Sequence, residues 1–482
     1  MHGMISERQQ RLKYVVSDLL AALLSWCIFA YVRYLNLFHS DAHQWASSFG
    51  EYLQTTTVMM GFVFAPLMMM FVFYLSGYYV SVFRKSRLHE LFITIISIFV
   101  IEVILFVVML INDMVAQNRQ FNYEILGFLY IVVFAFVYSF RYSITSTTSR
   151  RIKRRKWQFP TIIVGCSENA QELYQSLNNM EQSMGYQVVG FTRLPDEQST
   201  YSELFGLPVL EMEQLNKEFV DEKGIKEIIV APHECNEKTL LQSINSLFSL
   251  SLPIKITPNI YNILLSRVRL QELCGAPLMD ISGTGMSDSE KCIKRAVDVL
   301  GSALGLVLLS PLLLTIATLV KLDSPGSIIF KQKRVGRNNR EFNLYKFRSM
   351  CSDAESDGVP MLSHDSDQRI TKIGHSLRKY RLDELPQLWN VLIGDMSIVG
   401  PRPEREYFVK QILQRAPFYA MLHQVRPGLT SLGMVKFGYA KNVDEMVERM
   451  KYDLLYIENM TLLNDFKIMI YTVITIIQGK GI

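Results

Sequence analysis

Residues 381–404 read RLDELPQLWNVLIGDMSIVGPRPE, which sets two adjacent carboxylates in a frame punctuated by Pro and Gly. Asp383 and Glu384 are followed at once by Leu-Pro-Gln, which predicts that the pair lies near the start or end of a helix. Neighbouring carboxylates can divide the work of phosphoryl chemistry, one attacking or holding Mg²⁺ while the other tunes it. The alternative is an exposed pair in the first turn of a helix, and the pair alone does not decide between the two.

The same stretch resembles the signature of the bacterial sugar transferases, the polyprenyl-phosphate hexose-1-phosphate transferases that prime polysaccharide synthesis on a lipid carrier. The organisation is similar to the large four-span form, which includes undecaprenyl-phosphate glucose and galactose phosphotransferases. The resemblance covers roughly residues 290–482. It is carried, in order, by Lys294-Arg295, Asp298, Ser310-Pro311, Ser324-Pro325-Gly326, KFRSM at 346–350, RPGLT at 426–430, Asp453 and Glu458.

Composition is consistent with a membrane protein. Hydrophobic residues make up 49% of the 482 residues, and the mean hydropathy of +0.15 is high for a purely soluble chain. The six cysteines show neither a CxxC pair nor metal-ligand spacing, so the sequence indicates neither a disulfide framework nor a zinc site. A reducing compartment fits this pattern.

Four apolar stretches near residues 13–35, 55–78, 91–112 and 124–146 predict a four-helix transmembrane domain over residues 1–149. Basic residues flank the start of the first stretch and the connection between the second and third, whereas residues 35–52 contain no Lys or Arg. Both ends of the bundle are therefore expected in the cytoplasm. The resemblance implies a multi-pass protein of the bacterial inner membrane. The basic run at residues 150–156 would lie against anionic headgroups or act as a simple stop-transfer flank.

Residues 150–265 predict a Rossmann-like cytoplasmic domain, followed by a linker at 266–289. Strands are expected at 161–164, 187–191, 227–231 and 253–257, with helices at 170–180 and 238–248 between them. The first strand-to-helix turn has Ser167 where the second glycine of GxGxxG would lie, which argues against dinucleotide binding. A membrane-anchored nucleotide-sugar dehydratase would also need a Tyr-x-x-x-Lys pair, and the sequence has none.

Residues 290–482 are expected to form a mainly α catalytic domain containing a re-entrant membrane helix at 295–321. The 22 residues 299–320 are apolar and long enough to span, but both flanks are basic, so a spanning helix would place one basic cluster on the wrong side. Ser310-Pro311 lies at the middle, where proline breaks the helix and serine can satisfy a freed carbonyl. The resemblance implies membrane re-entry as well. Asp298 is expected to be paired or close to the headgroups, and residues 466–477 to form a core or interfacial helix.

A basic segment precedes the acidic pair, with eight Lys or Arg residues against two acids over residues 321–348. In isolation such a run is a solvated or headgroup-facing surface; beside the acidic pair we expect part of it to bind phosphates, because arginine can hold two phosphate oxygens at once. The candidate substrate-binding residues are Lys346, Arg348, Arg369, Arg378, Arg381, Pro401, Arg402, Pro403 and Glu404.

The resemblance implies a two-step displacement. Asp383 would attack the β-phosphorus of a UDP-sugar and release UMP, and undecaprenyl phosphate would then take the sugar phosphate, while Glu384 and Asp383 hold Mg²⁺. This is the priming step of exopolysaccharide, capsule or O-antigen synthesis. The implied partners are the UDP-sugar, undecaprenyl phosphate and membrane lipids, with no nucleic acid; a homodimer is left open.

Residues 431–435, SLGMV, depart from the usual continuation of the family after GLT, which places sugar specificity in doubt rather than the chemistry. A non-catalytic scaffold or regulator of a polysaccharide machine is the remaining alternative.

Overall fold

A computed structural model describes residues 6–39, 48–83, 85–116, 124–197, 201–232, 237–257, 278–281, 283, 285–351, 367 and 369–477. The chain forms two compact units, residues 1–158 with 287–293, and residues 159–286 with 294–482. The second unit therefore contains most of both regions predicted as separate domains, 150–265 and 290–482. Most of the predicted linker lies outside the described residues.

The first unit is helical, and the four apolar stretches predicted from the sequence are helices. By length and composition α1, α3, α4 and α5 can each cross a membrane, and only 33–39% of the residues in each span are buried within the protein. Most of their apolar side chains therefore point outward, as contact with lipid requires. The helices are α1 (Glu7–His39), α2 (Phe49–Leu53), α3 (Thr56–Leu75), α4 (Arg87–Ala116) and α5 (Glu124–Lys153).

A fully buried ion pair joins two of these helices, a feature that the sequence patterns did not predict. The Arg141 guanidinium of α5 donates to both carboxylate oxygens of Asp18 in α1, with Nη2 2.7 Å from Oδ2. Arg141 also donates to Thr94 of α4, and the Tyr79 hydroxyl donates to Asp18. Such a pair is costly to bury unless its hydrogen bonds are satisfied, and here these contacts satisfy them while they connect α1, α4 and α5.

The α/β part of the second unit has the predicted Rossmann-like alternation. The sheet order is β3-β4-β2-β1-β5-β6-β7, in which β4, β2, β1, β5 and β6 are parallel and the two edge strands are antiparallel. Its elements are β1 (Phe159–Val164), α6 (Glu168–Asn179), β2 (Tyr186–Thr192), β3 (Glu203–Leu204), β4 (Leu207–Leu210), α7 (Lys217–Lys223), β5 (Glu227–Val230), α8 (Glu237–Phe248), β6 (Ile254–Ile256) and β7 (Met279–Asp280).

The C-terminal part of the chain is mainly helical, as predicted, but it also contains an antiparallel hairpin and a parallel strand pair that were not expected. The elements are α9 (Asp288–Leu308), α10 (Ser310–Asp323), β8 (Ile329–Val335), β9 (Glu341–Phe347), α11 (Lys372–Lys379), α12 (Gln387–Ile393), β10 (Ser397–Val399), α13 (Glu406–Arg415), β11 (Gly428–Thr430), α14 (Leu432–Lys436), α15 (Val443–Glu458) and α16 (Leu462–Ile477).

The β8–β9 hairpin turns where Asn338 and Asn339 adopt left-handed backbone conformations, with φ of 58° and 57°. Asparagine tolerates this region better than most residues, and it is typical of hairpin turns. The run Gly336-Arg337-Asn338-Asn339 was therefore the sequence signal for the hairpin. The hairpin matters because it carries Lys346 on β9.

Helices α9 and α10 meet at a break with an angle of 63° between them. The break lies at Leu309, directly before Ser310-Pro311. The first part of the broken helix is tied to the strand pair, because the buried Asp298 carboxylate accepts hydrogen bonds from the Ser397 hydroxyl and the Ile398 amide, at 2.7 and 3.0 Å. Asp298 is thus paired, one of the two environments expected for it.

Candidate active site

The acidic pair lies in a short 3-10 turn, Leu382–Glu384, between α11 and α12. The turn follows Arg381, whose backbone is left-handed with φ of 54°. Asp383 is only 7% exposed and Glu384 only 5% exposed. Because both side chains are buried, the alternative of an exposed first-turn pair is wrong. Two carboxylates buried side by side need compensating positive charge.

Glu384 is surrounded by cations. Its Oε1 lies 3.1 Å from Lys346 Nζ and 3.6 Å from Arg402 Nη2, and its Oε2 lies 2.8 Å from Arg381 Nη2. Burial alone would raise the pKa of Glu384, but Arg381, Lys346 and Arg402 together outweigh it and hold the pKa far below its usual range. Glu384 is therefore the fixed anion about which the three basic side chains converge.

Asp383 has a different environment. Burial raises the pKa of Asp383 to about 6, an effect that Lys346 opposes and the neighbouring Glu384 charge supports. The charges of Arg378 and Arg381 also lower the pKa of Asp383, so both act on its carboxyl group. Within the described residues the Asp383 side chain makes no hydrogen bond or ion pair. Its carboxylate is therefore available to a substrate.

A second carboxylate supports the segment that carries Arg402. Glu404 Oε2 lies 3.1 Å from Arg334 Nη1, and Glu404 Oε1 lies 2.5 Å from Arg449 Nη2. The Pro403 carbonyl accepts from Arg334, and the Pro401 carbonyl accepts from the Gly428 amide. These contacts anchor the Pro-Arg-Pro backbone on both sides, so Arg402 projects from a rigid base.

The structure corrects two of the predicted substrate contacts. The Arg348 guanidinium is buried and donates to the backbone carbonyls of Val320, Ser324 and Pro325, so it secures the end of α10 rather than a phosphate. Both carboxylate oxygens of Glu404 form ion pairs with arginines, Arg334 and Arg449. Glu404 therefore supports the site rather than binding substrate.

The remaining predicted basic residues differ in which carboxylate they lie beside. Lys346, Arg381 and Arg402 all contact Glu384, and Arg378 on α11 acts on Asp383. Arg369 forms an ion pair with Asp367, at 2.6 Å, so its place in a phosphate site stays a prediction.

Arg449 is the supporting residue that sequence reasoning missed. It lies on the face of α15 that also buries Met446, Met450 and Asp453. A charged residue at helical spacing within an apolar face is costly unless it is paired, and that was the signal available in the sequence.

A Mg²⁺ ion was expected on Asp383 and Glu384. In the described part of the chain no group of three or more His, Cys, Asp or Glu side chains could hold a metal ion. Glu384 already has three cationic partners, so it could contribute only by exchanging one of them. Asp383 does fit, because Mg²⁺ is commonly held by one or two carboxylates together with substrate phosphates and water.

The first turn of the Rossmann-like sheet holds a carboxylate of the protein itself. Glu197 accepts hydrogen bonds from the backbone amides of Cys166, Ser167 and Leu194, at 2.9–3.2 Å. The amides at this turn and at the start of the following helix are the groups that bind the pyrophosphate in dinucleotide-binding folds. A bound diphosphate would have to displace Glu197.

Comparison with known proteins gives two family matches. The bacterial sugar transferase family matches residues 289–479, and a family described as a CoA-binding domain matches residues 74–258. Within the second match, Glu197 occupies the backbone amides of the turn at Cys166.

Three relatives differ in the sugar that their names give. A UDP-N-acetylgalactosamine-undecaprenyl-phosphate N-acetylgalactosaminephosphotransferase of Aeromonas hydrophila is 46% identical over 39% of this chain and 44% of its own length. A UDP-glucose:undecaprenyl-phosphate glucose-1-phosphate transferase of Escherichia coli K12 is 33% identical over 64% of this chain and 66% of its own length. A UDP-galactose-lipid carrier transferase of Erwinia amylovora is 32% identical over 69% of this chain and 71% of its own length. The chain thus spans less than two thirds of the first two relatives.

The chain thus combines four apolar helices of membrane-spanning length with a buried acidic pair that is surrounded by basic side chains. With the match over residues 289–479 and the extended similarity to the Erwinia protein, the chain belongs to the bacterial sugar transferase family.

Proposed function

We propose that this protein transfers a sugar 1-phosphate from a UDP-sugar to undecaprenyl phosphate, giving undecaprenyl-diphosphate-sugar and UMP. The observation that carries the proposal is the Asp383 carboxylate, which is buried and unpaired within the described residues and lies beside the cluster of Lys346, Arg381 and Arg402. The names of the relatives supply the donor, the acceptor and a role in exopolysaccharide production. Such a reaction primes the synthesis of a bacterial polysaccharide.

In the first step an Asp383 oxygen attacks the β-phosphorus of the UDP-sugar. A bond forms between that oxygen and the β-phosphorus, the bond from the β-phosphorus to the bridging oxygen breaks, and UMP leaves with that oxygen. A pKa of about 6 leaves Asp383 ionised at neutral pH but more basic than an ordinary aspartate, which suits a nucleophile.

In the second step an oxygen of undecaprenyl phosphate attacks the same phosphorus and releases Asp383. Lys346, Arg381 and Arg402 face the negative charge of the transferred group in both steps. Glu384 holds these three side chains in place, and its negative charge offsets the repulsion between them.

Mg²⁺ is part of the proposal, with Asp383 as the protein ligand that the geometry favours. When bound, the ion would neutralise the diphosphate oxygens of the donor. Glu384 would join it only if Lys346, Arg381 or Arg402 moved to the substrate phosphates.

The proposed location is the bacterial inner membrane, with residues 290–482 on the cytoplasmic face. The donor is cytoplasmic and the lipid phosphate lies at the membrane surface, so a helix that enters and leaves on one face would hold the site at the interface. The break between α9 and α10 and the basic residues on both flanks support this arrangement.

The test is a transfer assay in detergent or nanodiscs with undecaprenyl phosphate, Mg²⁺ and a panel of UDP-glucose, UDP-galactose and UDP-N-acetylgalactosamine. We expect one donor to give both UMP and a lipid-linked sugar. Asp383→Asn should abolish both products, whereas Asp444→Asn, at an exposed carboxylate on α15, should leave them unchanged. An inactive wild-type enzyme with every donor, together with intact polysaccharide production by Asp383→Asn cells, would favour the scaffold alternative.

A further inference from the structure

The segment after the RPGLT motif, residues 431–439, begins with residues 431–435, where the sequence departs from the usual continuation of the family. The structure places two of its side chains, Met434 and Tyr439, against the site. Both side chains contact the same two arginines, Arg381 and Arg402.

The contacts are close in each case. Met434 Sδ lies 3.3 Å from Arg402 Nη1 and 3.8 Å from Arg381 Nη2. The centroid of the Tyr439 ring lies 5.0 Å from Arg402 Cζ and 5.5 Å from Arg381 Cζ, within the range of a cation–π contact.

These two partners differ in kind from a carboxylate. A thioether is only a weak acceptor, and an aromatic ring attracts a guanidinium through its face, so neither neutralises the positive charge. Arg381 and Arg402 share the carboxylate of Glu384, and Arg402 Nε also lies 4.0 Å from Glu404 Oε1. Met434 and Tyr439 can therefore fix the orientation of the two guanidinium groups while leaving their charge for a phosphate.

The segment is itself held firmly. The Ser431 hydroxyl accepts from the Met434 amide at 3.0 Å, and the buried Asp453 carboxylate accepts from the Gly433 amide at 2.9 Å. Burial raises the pKa of Asp453, and the backbones of Gly433 and Arg402 oppose that rise, so the Asp453 carboxyl lies close to both segments. A Cβ at Gly433 would lie 2.8 Å from Arg449, which shows how closely α14 packs on α15.

We propose that Met434 and Tyr439 are positioning residues that orient Arg381 and Arg402 toward the diphosphate of the donor. This inference rests on the proposed function. It assigns to the segment a role in donor binding, through the arginines rather than through direct contact with the sugar.

The experiment compares Tyr439→Leu, Tyr439→Phe and Met434→Leu with the wild type, using the UDP-sugar that the panel identifies. Tyr439→Leu should raise KM for the donor about tenfold with a smaller change in kcat, since a cation–π contact to two cations is lost. Tyr439→Phe keeps the ring, so its KM for the donor should stay close to that of the wild type. Met434→Leu keeps the volume but removes the sulfur acceptor, so its KM should rise about threefold.

Tyr471→Leu is the matched control, because Tyr471 also faces a cation, Lys436, but lies on α16 and makes no described contact with either arginine. Inhibition constants for UDP and for uridine separate phosphate positioning from stacking of the base. Tyr439→Leu should weaken inhibition by UDP and leave that by uridine unchanged. Equal weakening of both would overturn the proposal, as would an unchanged KM in a folded Tyr439→Leu protein. An inactive wild type would instead refute the proposed function.

Discussion

The hydroxyl of Ser310 donates a hydrogen bond of 2.7 Å to the carbonyl of Val307, the carbonyl that Pro311 leaves without its helical donor. Proline lacks the amide proton that would bond to the residue four positions earlier, so this contact satisfies a group that would otherwise be costly in an apolar environment. The two residues together allow a break within an apolar helix.

The first prediction concerns the topology of this break. In a cysteine-free background, single cysteines at Lys291 and Lys333 should both resist a membrane-impermeant thiol reagent added from the periplasmic side, because both flanks are basic. Replacing Ser310-Pro311 by Ala-Leu restores a continuous apolar helix, since an interior proline costs about 3 kcal/mol. Part of that variant should span the membrane and lose activity.

A cysteine introduced into residues 35–52, between the first two spans, serves as the positive control, since it should be labelled from outside. Periplasmic labelling at position 333 in the unaltered helix would show that the segment spans, and the cytoplasmic site would have to be abandoned.

The second prediction concerns Asp383 and pH. Because its folded-state pKa is raised from 3.8 to about 6, the protonated form stabilises the fold, and that stabilisation is lost as the pH rises through about 6. Ionised Asp383 thus destabilises the protein at neutral pH. Asp383→Asn should therefore melt at a higher temperature than the wild type at pH about 7.5, and the gap should narrow toward pH about 5.

Wild-type transfer activity should fall as the pH is lowered through about 6, in step with protonation of the nucleophile. Transfer by Asp383→Asn at the wild-type rate would refute the assignment, and a melting temperature below that of the wild type would contradict the raised pKa.

The third prediction concerns Glu384. Glu384→Gln leaves three half-buried basic side chains without their common counter-charge, which should cost on the order of 3 kcal/mol and abolish most transfer. The residual activity should depend on Mg²⁺ concentration. Thermal unfolding and a Mg²⁺ titration of the rate measure both effects, with Glu448→Gln, an exposed carboxylate on α15, as the control.

The fourth prediction concerns the Rossmann-like sheet. The purified protein should carry no NAD(P) and need none, and millimolar NAD or coenzyme A should leave its melting temperature unchanged, because Glu197 occupies the amides at the phosphate position. Glu197→Ala should lower the melting temperature, since three backbone donors lose their acceptor. Glu213→Ala, at an exposed carboxylate, is its control. Stoichiometric nicotinamide in the purified protein would revive the dehydratase-like alternative.

The fifth prediction concerns the buried pair of the first unit. Arg141→Met should destabilise the helical unit by about 3 to 5 kcal/mol, because it leaves Asp18 charged and unpaired in an apolar interior. The double variant with Asp18→Asn should recover part of the loss. Lys451→Met breaks an exposed pair and should cost about 0.5 kcal/mol or less. Thermal unfolding of the three variants is followed by intrinsic fluorescence. An equal loss of stability in Arg141→Met and in the double variant would contradict the proposed role of the pair.

Much of this protein was predictable from its sequence because the relevant signals are local. The length of an apolar run decides whether a helix can cross a membrane, and the alternation of short apolar runs with amphipathic stretches indicates the parallel sheet. Ser310-Pro311 predicted the break in the same way. The acidic pair was visible because its frame of Pro and Gly lies within a few residues of it.

Only the tertiary structure decided which basic side chains reach that pair. Lys346 lies on β9 and Arg348 directly follows that strand, yet Lys346 contacts Glu384 and Arg348 secures the end of α10. Arg402 and Met434 are distant from Glu384 in sequence and meet at the site through packing. Sequence alone determined the membrane-length helices, the parallel sheet and the acidic pair, whereas the ionisation of that pair depends on contacts between distant segments, which no local pattern records.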